Sequence, residues 1–228
     1  MALYAIGDLH LSLGTNKSMD VFGGAWEGYV EKLKAGFSIV GPGDTTVLMG
    51  DLSWGQGLEA AEKDFAWIAQ IPGKKYLLKG NHDYWWSTAA KFEKFCAAHG
   101  FQNLELLHNN CKLYGETALC GSRGWFFEED RAGTHDDKIY NRELRRLEVS
   151  LQAAGEREKI CFLHYPPRYR GYRCPEILEL LSRYGVKRCF YAHLHGDSHR
   201  LAVEGEAEGV TFSLASADYV QFQPRRVL

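Results

Sequence analysis

Apolar residues in this chain fall into short runs, each cut off by glycine or a polar residue, with helical stripes between them. Ala2 to Ile6 is the first such run and Gly7 ends it, which predicts a strand. A Gly-containing loop over 12–24 leads to a stripe of Trp26, Tyr29, Val30, Leu33 and Phe37, spaced for one face of a helix. Thr45–Met49 predicts a second buried strand, 58–70 a helix with Ala61, Phe65 and Ile68 inward, and Lys75–Leu78 a third strand. Strands that are apolar throughout and alternate with helices predict a largely parallel sheet covered by helices. Further on, Cys111–Tyr114 and Thr117–Cys120 flank Gly115-Glu116 as a two-residue hairpin. The stretch 122–139 is irregular, and a helix is expected over 140–154. Ile160–Leu163 is a strand, 175–184 a helix and Arg188–Ala192 a strand. The tail alternates like antiparallel strands at Leu201–Val203 and Val210–Leu214.

The strand ends share one chemistry. Asp8 and His10 follow the first strand, Asp51 the second, Asn81 and His82 the third, His164 the fourth, and His193 and His195 the fifth. In α/β sheets, functional groups gather beyond the carboxyl ends of the strands. Asp8 and His10, two residues apart, leave an extended backbone on the same side. Alone they fit a metal pair or a turn with a loop histidine. Five of the nine histidines sit at these strand ends, and the set as a whole predicts a metal site. Carboxylate, imidazole and amide oxygen without thiolate suit Mn²⁺, Fe or Zn²⁺. The ligand candidates are too many for one tetrahedral ion and enough for two, and a pair about 3.5–4 Å apart can clamp an in-line displacement at phosphorus.

In this order, D-x-H, G-D, G-N-H-D, a strand-end His and H-x-H resemble the calcineurin-like metallophosphoesterases, over most of the chain from Asp8 to His195. The resemblance implies an α/β fold of two mixed β-sheets packed as a sandwich and flanked by helices. It implies one metal on Asp8, His10, Asp51 and His195, and a second on the shared Asp51 with Asn81, His164 and His193. It assigns His82 as the acid that protonates the leaving oxygen. Asp83 is either a carboxylate that orients the site or the N-cap of a helix starting near Trp85. Trp54 stands three residues after the G-D aspartate, where relatives often carry a carboxylate, histidine or ligating tyrosine. It argues against the purple acid and Ser/Thr protein phosphatase types and leaves open what orients His82. Ala192 replaces the glycine usual in the last block.

Composition refines this reading. The 228 residues, 45% hydrophobic, fit one domain over 1–228, with a flap or insertion around 122–145. A net charge of −2 gives no general field for polyanions. The expected partner is therefore a small phosphorylated substrate rather than long nucleic acid or a membrane. The six scattered cysteines include no C-x-x-C pair and read as free thiols. With no signal peptide or long apolar segment, the expected compartment is the cytoplasm. Substrate contacts are expected from Arg123 and Trp125, with Phe126 and Phe127 beside them in the flap, and from Arg168 and Arg170 after His164. His135 reads as solvated. The functional expectation is a phosphoesterase with two divalent ions (Mn, Fe or Zn), cleaving a small phosphodiester or monoester by attack of a metal-bridging hydroxide. The rival readings are a nuclease of the same fold and a non-catalytic metal-binding scaffold.

Overall fold

The apolar runs at Ala2–Ile6, Thr45–Met49, Lys75–Leu78, Ile160–Leu163 and Arg188–Ala192 become largely buried strands, so the hydrophobic pattern accounts for most of the sheet structure. The computed structural model describes residues 1–125 and 134–228, with side chains omitted at 134–136. Phe126 and Phe127 therefore lie outside the described residues, as does the side chain of His135. The described residues are mixed α/β, with two large mixed sheets flanked by helices. They form two compact units, Met1–Leu106 with Ala215–Leu228, and Leu107–Leu214.

In the first unit, β1 (Leu3–Ile6), β2 (Thr45–Met49), β3 (Lys74–Leu78) and β4 (Leu104–Leu106) run parallel in that order. The C-terminal strand β13 (Arg225–Arg226) pairs antiparallel with β1 at the edge. Helices α1 (Tyr29–Gly36), α2 (Glu62–Gln70) and α3 (Ala89–His99) supply the crossovers that parallel strands require. The expected stripe holds, with Trp26, Tyr29, Leu33 and Phe37 buried, although short 3-10 turns flank α1. On α2, Ala61, Phe65 and Ile68 face inward as expected, although the helix itself begins at Glu62. Phe65 meets Trp85, Phe92 and Phe95 edge-on, at 4.8, 5.3 and 5.9 Å between ring centroids.

The second unit holds β5 (Lys112–Tyr114), β6 (Thr117–Ser122), α4 (Thr134–Ala153), β7 (Lys159–Leu163), β8 (Arg168–Tyr169), β9 (Tyr172–Arg173), α5 (Pro175–Arg183), β10 (Arg188–Tyr191), β11 (Gly205–Ala207) and β12 (Val210–Leu214). Its main sheet runs β11-β12-β10-β7-β6-β5, parallel in the middle and antiparallel at both ends. The hairpin at Gly115-Glu116 forms as expected, with Tyr114 opposite Thr117. All six cysteines are free.

Two expectations need correction. Helix α4 starts at Thr134 rather than near 140; the sequence of its first turn is polar, and among the described side chains of the helix Tyr140 is the first that is buried. Leu201–Val203 is not a strand. A 3-10 turn over Gly196–Leu201 runs into it, and the Tyr191 hydroxyl takes both backbone groups of Val203, donating to its C=O (2.9 Å) and accepting from its N–H (2.8 Å). Those are the groups a ladder would have paired. The antiparallel partner of β12 is β11, joined to it through Glu208 and Gly209, both at positive φ (53° and 75°) as a tight hairpin turn requires.

Phe65→Ala, which empties the junction between α2 and α3, is expected to lower the unfolding free energy by about 3–5 kcal/mol. The urea midpoint measures it.

Candidate metal centre

The candidate ligands of the first unit sit on loops that prolong the pairing of β1 with β2 beyond the strands. The Asp8 N–H donates to Gly50 C=O, His10 N–H to Asp51 C=O and Leu11 N–H to Leu52 C=O, each at 2.9 Å. Trp54 N–H returns a bond to Leu11 C=O, also at 2.9 Å. Within this frame Asp8, His10 and Asp51 adopt φ of 61°, 45° and 50°. Positive φ is unfavourable for residues other than glycine, and such backbone clusters where function demands a particular side-chain direction. With His193 (φ 75°) in the second unit, candidate ligands make up four of the eight non-glycine residues at positive φ among those described. The bent backbone brings Asp8 and His10 ligand atoms within 4.8 Å of each other, and His10 Nε2 lies 3.8 Å from Asp51 Oδ2. All three side chains are buried.

The third loop, after β3, is fixed by Asp83. Its carboxylate accepts from the N–H groups of Asp51 (2.8 Å), Leu52 (2.8 Å), Ser53 (3.4 Å) and Gly80 (2.7 Å), and from the Trp85 indole N–H (2.7 Å). Burial pushes this carboxyl above the ordinary carboxylate range, and the hydrogen bonds pull it back down. Every one of these partners is a donor, so both oxygens must accept, which the ionised form does. Asp83 is thus closed to solvent and ties the loops after β2 and β3 together. The N-cap of α3 is Thr88, whose side chain accepts from Lys91 N–H, so the capping alternative for Asp83 does not hold. Gly80 is required by close approach, since a Cβ there would overlap the Asp51 carboxylate and backbone nitrogen.

Asp64, on α2, joins the two other loops. It accepts from Leu13 N–H (2.7 Å) and from the Ser53 hydroxyl, and burial raises its pKa.

The Asp51 carboxylate is oriented by His82 N–H, which donates to its Oδ1 at 2.7 Å. The His82 ring lies 4.8 Å from the Trp54 ring, and its Nδ1 is 3.3 Å from the Tyr84 hydroxyl. Trp54 also stacks on His10 at 5.0 Å with 21° between planes, and the Lys17 ammonium lies 5.6 Å from its centroid. The tryptophan that departs from the family pattern is therefore a wall against both imidazoles. The sequence reading missed Tyr84 and Asp64. The available signal for Tyr84 was its spacing, two residues beyond His82.

In the second unit, buried His164 leaves β7 and its C=O accepts from Ala192 N–H at 3.1 Å, aligning the exits of β7 and β10. The His164 and His193 rings are 5.2 Å apart with ligand atoms within 4.8 Å, and Tyr165 packs on both. The backbone C=O of His195 accepts from Ser198 N–H (3.0 Å) and hydroxyl (2.7 Å). Arg123 lies over Trp125 (5.0 Å) and Tyr165 (5.8 Å) and reaches Glu143 at 3.4 Å. Arg168 is bound to Glu208 at 2.5 Å, and Arg173 shares that carboxylate at 2.6 Å, while Arg170 is exposed.

The candidate donors of the first unit are carboxylate and amide oxygen with one imidazole, those of the second are imidazoles, and neither set includes a thiolate, a chemistry that fits Mn²⁺, Fe or Zn²⁺. A profile of the family described as calcineurin-like phosphoesterase matches residues 1–197. The chain belongs to that family. Two solved structures share its fold. A phosphopantetheinyl hydrolase from Mycobacterium tuberculosis matches 100% of this chain and 95% of its own, at TM-score 0.61 and 14% identity. A protein of unknown function from Aquifex aeolicus matches 99% and 95%, at TM-score 0.55 and 14% identity. Among curated proteins, none matches the sequence. No described helix is long and apolar enough to cross a membrane.

Asp83→Asn keeps the side-chain shape but turns an amide N–H₂ toward N–H donors. It is expected to weaken Mn²⁺ binding about 10–100-fold in calorimetric titration, with the far-ultraviolet circular dichroism unchanged.

Proposed function

We propose that the protein hydrolyses a small phosphoester with the help of two divalent ions. The observation that carries this reading is the buried trio Asp8, His10 and Asp51, held at positive φ on paired loops in a member of a phosphoesterase family. Following the family's motifs, Asp8, His10, Asp51 and His195 hold one ion, and Asp51, Asn81, His164 and His193 the other. When bound, such ions supply positive charge that activates water and offsets the charge growing on the phosphoryl oxygens.

The chain's own residues do the rest. Asp83 fixes the Asp51 loop, and the His82 N–H holds Asp51 Oδ1, so that carboxylate is set before substrate arrives. His82 gives a proton to the leaving oxygen as its bond to phosphorus breaks. Arg123, held over two aromatic rings, is preorganised to meet a phosphate oxygen, with Trp125 beside it. Arg168 would have to leave Glu208 to do the same, and Arg170 would reach the substrate from an exposed position. A diester is favoured over a monoester because no family feature in this sequence enforces a monoester, and the arginines serve both. The phosphopantetheinyl hydrolase is a fold neighbour with that name, and its likeness supports the scaffold alone.

Metal-stripped protein, assayed on bis(p-nitrophenyl) phosphate and p-nitrophenyl phosphate, is expected to be inert until Mn²⁺ is added and then to favour the diester. Metal binding without turnover of either would support a non-catalytic scaffold, and DNA cleavage with steep salt dependence a nuclease. Asp51→Asn is expected to reduce turnover to background in a folded chain. His82→Asn is expected to retain its metal and to slow esters of poor leaving groups by about 100-fold or more. Metal loss in that variant would make His82 a ligand instead.

A further inference from the structure

The loop after β3 alternates in direction. Asp83 is driven inward by its five donors, so His82 and Tyr84, one residue to either side, are thrown together on the opposite side of the backbone. A tight turn reinforces this, with Tyr84 N–H donating to His82 C=O at 2.8 Å. Their rings are 6.0 Å apart and nearly perpendicular, and the Tyr84 hydroxyl faces His82 Nδ1 at 3.3 Å. On its other flank the His82 ring meets Trp54. A bare aromatic wall limits how the ring can tilt but does not distinguish its two nitrogens. Only a polar partner does that.

We propose that Tyr84 is the positioning residue of His82: its oxygen accepts the Nδ1–H bond and thereby commits Nε2 to the leaving group. The inference rests on the reading of His82 as the proton donor. To act as the donor, the ring would carry a proton on each nitrogen. As the bond between phosphorus and the leaving oxygen breaks, the Nε2 proton passes to that oxygen. The neutral ring keeps Nδ1–H on Tyr84, and solvent restores the Nε2 proton. A hydroxyl can fill this place because it accepts a hydrogen bond without adding negative charge beside Asp51. Tyr84 is half exposed, so its hydroxyl is placed to hold the ring while the ring edge stays accessible to substrate.

Two measurements test this on the full chain. In the Zn²⁺-loaded protein, long-range ¹H–¹⁵N correlation of the imidazoles at alkaline pH is expected to show neutral His82 as the Nδ1–H tautomer, and Tyr84→Phe is expected to shift it toward Nε2–H. In the Mn²⁺-loaded enzyme, Tyr84→Phe is expected to lower kcat on a poor leaving group about tenfold, with KM and metal content unchanged. The loss should shrink for p-nitrophenyl esters and disappear in the His82→Asn background. Identical imidazole spectra in wild type and variant, or an undiminished loss in the His82→Asn background, would overturn the assignment. If wild-type protein turns over no phosphoester, the functional reading fails, while the spectra still decide whether Tyr84 orients the ring.

Discussion

One buried carboxylate carries the order of the first unit's site. Asp83 gathers N–H groups from two different loops, those after β2 and β3, and adds the Trp85 indole from the hydrophobic core. Backbone N–H groups closed to water must find acceptors, and Asp83 supplies them to Asp51, Leu52, Ser53 and Gly80. The same contacts set Asp51 relative to His82 and turn His82 and Tyr84 to the outer side of the loop. Loss of this acceptor would strand several donors at once, so its effect should reach both stability and metal affinity.

Around that anchor the local geometry is unfavourable by itself. Asp8, His10 and Asp51 hold backbone conformations that residues with a Cβ rarely adopt, and Gly80 leaves no room for a Cβ beside the Asp51 carboxylate. What maintains them is the continued pairing of the β1 and β2 exits, the Asp64 tie to Leu13 and Ser53, and the packing of Trp54 on His10. Rigid strands deliver the loops, and buried polar bonds fix the last few ångströms. Preorganisation of this kind is what a charge-stabilising site requires.

Much of this was legible in the sequence because the strands are apolar throughout and end in unmistakable residues. Thr45–Met49 coincides with its predicted strand, and the Gly115-Glu116 hairpin forms in the expected register. The errors fall where the hydrophobic pattern is silent or is overridden by a tertiary bond. The first turn of α4 carries no apolar stripe, and the Tyr191 hydroxyl claims the backbone of Val203. At the site, the candidate ligand types and their order come from the motifs, whereas the bonds that support them could not be read. The links from Asp83 to Asp51 and from Asp64 to Leu13 span 32 and 51 residues, and no local pattern encodes them. The partner of His82 was only two residues away, yet a tyrosine in an aromatic run such as Tyr84-Trp85-Trp86 reads as packing. Here Trp85 packs and Tyr84 does not.

The proposed function turns on two divalent ions that would share the Asp51 carboxylate. Electron paramagnetic resonance of the metal-stripped chain titrated with Mn²⁺ tests it most directly. Two ions per chain with the multiline spectrum of spin-coupled manganese are expected, with loss of that coupling in Asp51→Asn. A single ion per chain giving the six-line spectrum of isolated Mn²⁺ at saturation would contradict it.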